Sequence, residues 1–189
     1  YFIIPYTIGS YLAEASSEKI DEDHKEFNMS YQKVEARIKK LISIEGKRTV
    51  DNFHRELGNI LWEYCGMSRN NSGLKKAKKL IKDLRTEYWE NVLVGGSEQN
   101  FNQSLERAWR VADFLEFGEL MVTDALERQE SCGGHFNEKF QTGENEALRD
   151  DKHFCHVSAW EFNGDKRKPK FHKEPLTFEN VELTQRSYK

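Results

Sequence analysis

Cysteine and histidine, the side chains suited to nucleophilic attack and to zinc, gather in the last third of this 189-residue chain at Cys132, His135, His153, Cys155 and His156. In the stretch ALERQESCGGHFNEKF a thiol and an imidazole flank two glycines. A nucleophile and its base would sit this way if a cleft held them and a third group oriented the base. The sequence argues for neither cleft nor orienting group. Cys132-x-x-His135 followed by His153-x-Cys155-His156 has residue types that could supply four ligands to zinc. Neither half has the standard knuckle spacing, and neighbouring residues of an extended segment point to opposite faces, so no metal is assigned. The third possibility is structural. Gly133 and Gly134 can adopt positive φ, end a long helix and turn the chain.

The elements that must position these residues are mostly helices. Phe27, Tyr31, Val34, Ile38 and Leu41 recur at steps of four and three, predicting a helix over residues 24–44 that Gly46 ends. Val50, Phe53, Leu57, Ile60 and Tyr64 repeat the pattern between an N-cap at Thr49 and a stop at Gly66. Leu74, Ala77, Ile81, Leu84 and Tyr88 follow Ser72 and run to the VGGS turn at 94–97. A longer helix is expected over 99–130, with Phe101, Leu105, Ala108, Ala112 and Leu115 inward and Gly118 admitting a neighbour. Apolar steps averaging about 3.5 residues predict an up-and-down antiparallel bundle. Beyond Phe140 the segment HFCHVSAWEF alternates, NGD at 163–165 offers hairpin chemistry, and LTFENVEL reads as a second strand. A mainly α protein with a small C-terminal β flap follows.

Composition narrows the function. With 29 basic and 32 acidic residues the net charge is only -3, so no global field draws the chain to nucleic acid or to an anionic membrane. The lysines of LKKAKKLIKDLR complement the apolar stripe of their own helix and lack interleaved aromatics, which marks a solvated face. Three scattered cysteines form no disulfide framework and point to a reducing, cytoplasmic setting. The opening YFIIPYTIG is too short to span a bilayer and contains Pro5 and Gly9. Pro5 suits the first turn of a helix running to about Ala15. A start at Tyr1 without Met, directly into apolar residues, reads as a piece of something longer.

The stretch RQESCGGHF, preceded by LERAWRVADFLEFGELMVTDALE and followed by ALRDDKHF, resembles the C-terminal region of succinate dehydrogenase and fumarate reductase flavoprotein subunits. There a long helix leads into an Arg-x-Glu-Ser-Arg-Gly-Ala-His motif and then an Arg-Asp-Asp segment. LWEYCGMSRNNSGL is similar to the family's helix ending in Gly-x-x-Arg with Gly-Leu after it, and QRSYK is similar to its Arg-Ser-Tyr ending. The likeness covers essentially the whole chain, and the CGGH form looks most like the flavoprotein of Bacteroides-type bacteria.

The resemblance implies a spectrin-repeat-like three-helix core. Residues 1–22 would be the remnant of the last FAD-domain helix and its linker, 23–132 the helical bundle and 133–189 the C-terminal loop and β-hairpin tail. The Gly-x-Gly-x-x-Gly fingerprint is missing, so neither catalytic nor cofactor-binding residues are expected in this chain; FAD belongs to the parent, which interconverts succinate and fumarate. The implied partners are the FAD domain of the same subunit, an iron–sulfur subunit and, only indirectly, a membrane anchor at the inner face of the cell membrane. Residues implied to support the interface or flavin site are Arg128, Ser131, His135, Arg149 and Arg186. The sequence departs from the family at Cys132 and Asn137, where the family has arginines, and at Gly134, where it has alanine. A free-standing spectrin-like interaction module is the alternative; it accounts for the bundle but not for the motif series.

Overall fold

The computed structural model describes residues 1–15, 21–97, 101–164 and 167–184, and the chain divides into two units, Tyr1–Lys40 and Leu41–Lys189. In the first unit, α1 (Ile3–Glu14) carries Pro5 in its first turn, where a missing N–H costs nothing. Its apolar residues Phe2, Ile3, Ile4, Tyr6, Ile8, Tyr11 and Leu12 are all exposed. Helix α2 (Lys25–Ser43) follows the predicted span closely, but its expected inward stripe is only partly covered. Phe27, Tyr31 and Val34 are exposed, and burial begins at Leu41. Periodicity establishes that a helix has an apolar face, not what lies against that face.

The second unit is built on α3 (Val50–Cys65), α4 (Asn71–Asn91) and α5 (Gln103–Glu127). Two-residue strands β1 (Arg48–Thr49) and β2 (Val92–Leu93) pair in parallel. Because β1 leads into α3 and β2 leaves α4, this pairing sets the start of α3 beside the end of α4, and the two helices run antiparallel. Gly46 makes the pairing possible: a Cβ there would lie 2.1 Å from the Asn91 carbonyl carbon. Helix α5 returns antiparallel to α4, as Arg85 pairs with Glu116 and Glu119 while Tyr88, near the end of α4, donates its hydroxyl to the Ala108 carbonyl at 2.5 Å. The predicted stripes meet in one core containing Phe53, Leu57, Leu74, Ile81, Tyr88, Ala108 and Leu115. Gly118 is buried against the tips of Leu57 and Leu61, the close approach its small size permits. Lys75, Lys76, Lys79 and Lys82 are exposed on the opposite face of α4.

Capping chemistry moved several ends. Thr49 caps α3 as expected, its hydroxyl accepting from Asn52 N–H. The cap of α4 is Asn70 rather than Ser72: its carboxamide oxygen accepts from Gly73 N–H at 2.8 Å, and the Ser72 hydroxyl donates to that same oxygen. Asn102 caps α5, so the helix begins after Phe101, which is exposed instead of inward. The flap forms from β3 (His156–Glu161) and β4 (Lys170–Pro175), paired antiparallel from His156↔Pro175 to Glu161↔Lys170. The second strand is therefore KFHKEP; LTFENVEL lies outside any strand. Among the described residues no helix is long and apolar enough to cross a membrane.

Candidate functional site at the end of the long helix

Helix α5 stops at Glu127, six residues before Gly133, the first of the glycines expected to end it. Its last carbonyls are answered by side chains: Gln129 Nε2 donates to Leu126 O at 2.7 Å, and His135 Nε2 donates to Arg128 O at 3.0 Å. The glycines serve a separate turn. Cys132 and His135 exchange both backbone hydrogen bonds, at 2.9 and 3.0 Å, and Gly133 takes φ +56° between them. A positive φ at the first central position suits glycine in a tight hairpin turn.

The loop beyond the helix is stitched to the start of α4. Arg69 donates its backbone N–H to Phe136 O and accepts from Glu138 N–H, while Ser68 and Asn70 side chains reach the Glu138 carboxylate. Ser131 and Asn137 are fully buried and close a ring of their own. The Ser131 hydroxyl accepts from Asn137 N–H at 2.8 Å and donates to Asn137 O at 3.1 Å. Asn137 Nδ2 then donates to Asn71 Oδ1. Glu130, 3 % exposed, accepts from Asp150 N–H at 2.9 Å and faces Arg128 Nε at 3.5 Å. Arg128 Nη2 donates to the carbonyls of Phe154 and His156, tying the helix end to the short helix α6 (Asp151–Phe154) and to β3. A hollow of about 390 Å³ beside Arg128 has Asp124 and Trp160 in its wall, but those two polar groups bond each other at 2.7 Å.

His135 is held between two arginines. Arg69 Nη1 donates to its Nδ1 at 3.0 Å, and its Nε2 meets the Arg128 carbonyl. A guanidinium only donates and a carbonyl only accepts, so the ring is the neutral Nε2–H tautomer. Burial lowers its pKa below the ordinary value near 6.5, and the Arg69 and Arg128 charges act the same way. Both nitrogens are engaged, so the imidazole is neither a base for Cys132 nor a metal ligand. Among the described residues no three His, Cys, Asp or Glu side chains converge as a metal site. His153 pairs with Asp150, and His156 packs against Phe154 and Phe171. Burial pushes the Cys65 thiol up, which leaves it a poor nucleophile.

The lowered His135 pKa carries a sign. The unfolded chain takes up the proton first, so the contribution to stability is complete above pH 6.5, declines as pH falls below that value and levels off beneath the folded pKa. His135→Gln offers the same donor and acceptor without titrating. The expected result is that lowering the pH from about 7.5 to about 5.5 reduces the urea midpoint more in the wild type than in His135→Gln. Equal declines would show that this imidazole does not titrate with folding.

Residues 54–188 match the family described as fumarate reductase flavoprotein C-term. The chain belongs to this family. It is 28% identical over 130 residues to an uncharacterized FAD-dependent oxidoreductase of Methanocaldococcus jannaschii, covering 68% of this chain and 23% of that protein. It is 25% identical over 127 residues to the fumarate reductase flavoprotein subunit of Haemophilus influenzae, covering 67% and 21% respectively. The chain thus spans less than a quarter of the length of these relatives. The fold matches a quinol fumarate reductase chain from E. coli with a TM-score of 0.71 at 17% identity, over 95% of this chain and 29% of that one.

Within the family domain the residues singled out from sequence fall into three groups. Arg128, Ser131 and His135 come together around the 128–138 loop. Arg149 lies against the same loop, between Leu148, whose carbonyl accepts from Ser131 N–H, and Asp150, whose N–H donates to Glu130, and it forms a two-pronged pair with Asp151 at 2.9 and 2.6 Å that holds the Asp151 carboxyl below its usual range. Arg186 lies outside the described residues. Arg128 and His135 both find partners within this chain. Arg69 was passed over as a site residue, although the Gly-x-x-Arg pattern at the end of α3 marked it. Asn137 is neutral and its amide completes a buried network of neutral groups. Thr49, Asn70 and Asn102 cap the N-termini of α3, α4 and α5 with their side chains.

Proposed function

We propose that this chain is the C-terminal helical domain of the flavoprotein subunit of a succinate dehydrogenase or fumarate reductase, in which it braces the FAD domain and offers surface to an iron–sulfur subunit. The observation that carries this is the family match over 54–188, which spans α3 to the tail and includes the 128–151 segment. Residues 1–22 then belong with the FAD domain, 23–132 form the bundle and 133–189 the returning tail. The parent would hold FAD and interconvert succinate and fumarate through hydride transfer at the flavin, with this domain supplying position rather than chemistry. Arg128, Ser131 and His135 act as positioning residues that shape the loop, and Arg149 and Arg186 serve as interface residues. The subunit would stand at the cytoplasmic face of the membrane and meet the membrane anchor only through its partners.

Purified alone, the chain is expected to fold, to carry no flavin absorbance and to leave succinate unoxidised, while the intact subunit carries flavin and reduces fumarate with an artificial electron donor. Near-stoichiometric flavin on the isolated chain, or an intact flavin-loaded subunit inert toward both succinate and fumarate, would overturn the assignment.

A further inference from the structure

Arg69 stands out in the loop cluster because its charge goes unanswered. Arg128 faces Glu130 and Arg149 pairs with Asp151, but Arg69 bonds only neutral acceptors through its guanidinium: Gly66 O from Nε at 3.1 Å and His135 Nδ1 from Nη1 at 3.0 Å. No carboxylate pairs with it among the described residues. Two of its five N–H donors are used, and the Nη2 pair with the second Nη1 hydrogen remains, a fork that fits the two oxygens of a carboxylate. His135 cannot supply the missing negative charge, since protonation would add a second cation. The group is half-buried, so water answers it less fully than it would a surface arginine.

The surroundings point to a protein rather than a free ion. Trp62, one turn before Gly66 on α3, is 85% exposed and Met67 is 91% exposed. Aromatic, methionine and arginine side chains together are the composition of an interface centre rather than of ordinary surface. Across the loop, exposed Gly133 and Gly134 place no side chain in the way of an approaching backbone.

We infer that Trp62, Met67, Arg69 and the Gly133–Gly134 turn form the seat of the FAD domain of the same subunit, which brings an Asp or Glu carboxylate onto the Arg69 fork and apolar surface onto Trp62 and Met67. This rests on the assignment of the chain as one domain of a larger flavoprotein. The charge complementarity at Arg69 selects an acidic partner, and the fork makes arginine superior to lysine at that point.

The test is amide hydrogen exchange at 66–70 and 132–137, compared between the isolated chain and the intact subunit for wild type, Arg69→Gln and Arg69→Lys. Taking the ratio for each variant removes any effect of the substitution on the isolated fold. In the wild type the intact subunit is expected to exchange at least roughly tenfold more slowly, with most of that gain lost in Arg69→Gln and only partly restored in Arg69→Lys. An undiminished gain in Arg69→Gln would overturn the role of Arg69. An active, flavin-loaded subunit with no gain in the wild type would overturn the seat while leaving the family function in place. A gain that appears only when the iron–sulfur subunit is added would overturn the FAD domain as the occupant.

Discussion

Phe53→Ala is expected to lower the unfolding free energy by about 4 kcal/mol, the upper part of the range for deleting a buried aromatic ring. Phe53 is 0 % exposed and meets Tyr88 edge-on, with ring centroids 5.0 Å apart, while the Arg48 guanidinium lies 4.3 Å above its ring. Tyr88 bonds the Ala108 carbonyl, so this point joins α3, α4 and α5. Removing the ring opens a void whose walls belong to three helices, and none can close it without moving against the other two. Tm should fall by about 10 °C for a unit of this size. Phe53→Leu, which keeps most of the volume, should cost about 1 kcal/mol. Denaturant unfolding of the isolated chain measures both, and a loss below about 1 kcal/mol for Phe53→Ala would mean that this junction does not hold the bundle together.

The second large effect is expected from Arg128→Ala, at about 3 kcal/mol. The substitution leaves the Glu130 carboxylate, 3 % exposed, without its cation and deprives the Phe154 and His156 carbonyls of a shared donor. Much of that cost is the stranded charge rather than the lost attraction, so replacing Glu130 as well should recover part of it. The double variant Arg128→Ala with Glu130→Gln is therefore expected to lose less than the sum of the two single variants. Arg128→Lys should rescue poorly, because a single ammonium cannot reach two carbonyls and the carboxylate in one geometry. Strict additivity in the double-mutant cycle would mean that Arg128 and Glu130 do not interact.

Much of this architecture is written locally. The stripe from Val50 to Tyr64, bounded by Thr49 and Gly66, sits in the sequence because helix period and cap chemistry are short-range properties, and α3 appears with both ends in place. The family motifs likewise lie in continuous stretches, so membership was legible from RQESCGGH and the Arg-Asp-Asp segment before any fold was seen. Capping shifted two of the helix starts: Asn70 caps α4 ahead of Ser72, and Asn102 begins α5 past Phe101.

What the sequence could not determine is whatever depends on residues far apart meeting. The end of α5 was placed too late because Gly133 and Gly134 look like a helix stop, whereas His135, folding back from seven residues on, takes the Arg128 carbonyl and lets the helix finish at Glu127. The second flap strand was misplaced because register is set by the partner strand, and KFHKEP aligns with β3 although LTFENVEL has the better strand composition. The site itself is of this kind. Arg69 and His135 are 66 residues apart, and only the packing of the 128–138 loop onto the start of α4 brings them to 3.0 Å. Sequence supplied the guanidinium and the imidazole. The tertiary contact made the imidazole neutral, fixed its tautomer and left the guanidinium without a counter-charge, because hydrogen-bond direction and burial are properties of the assembled neighbourhood and not of either residue alone.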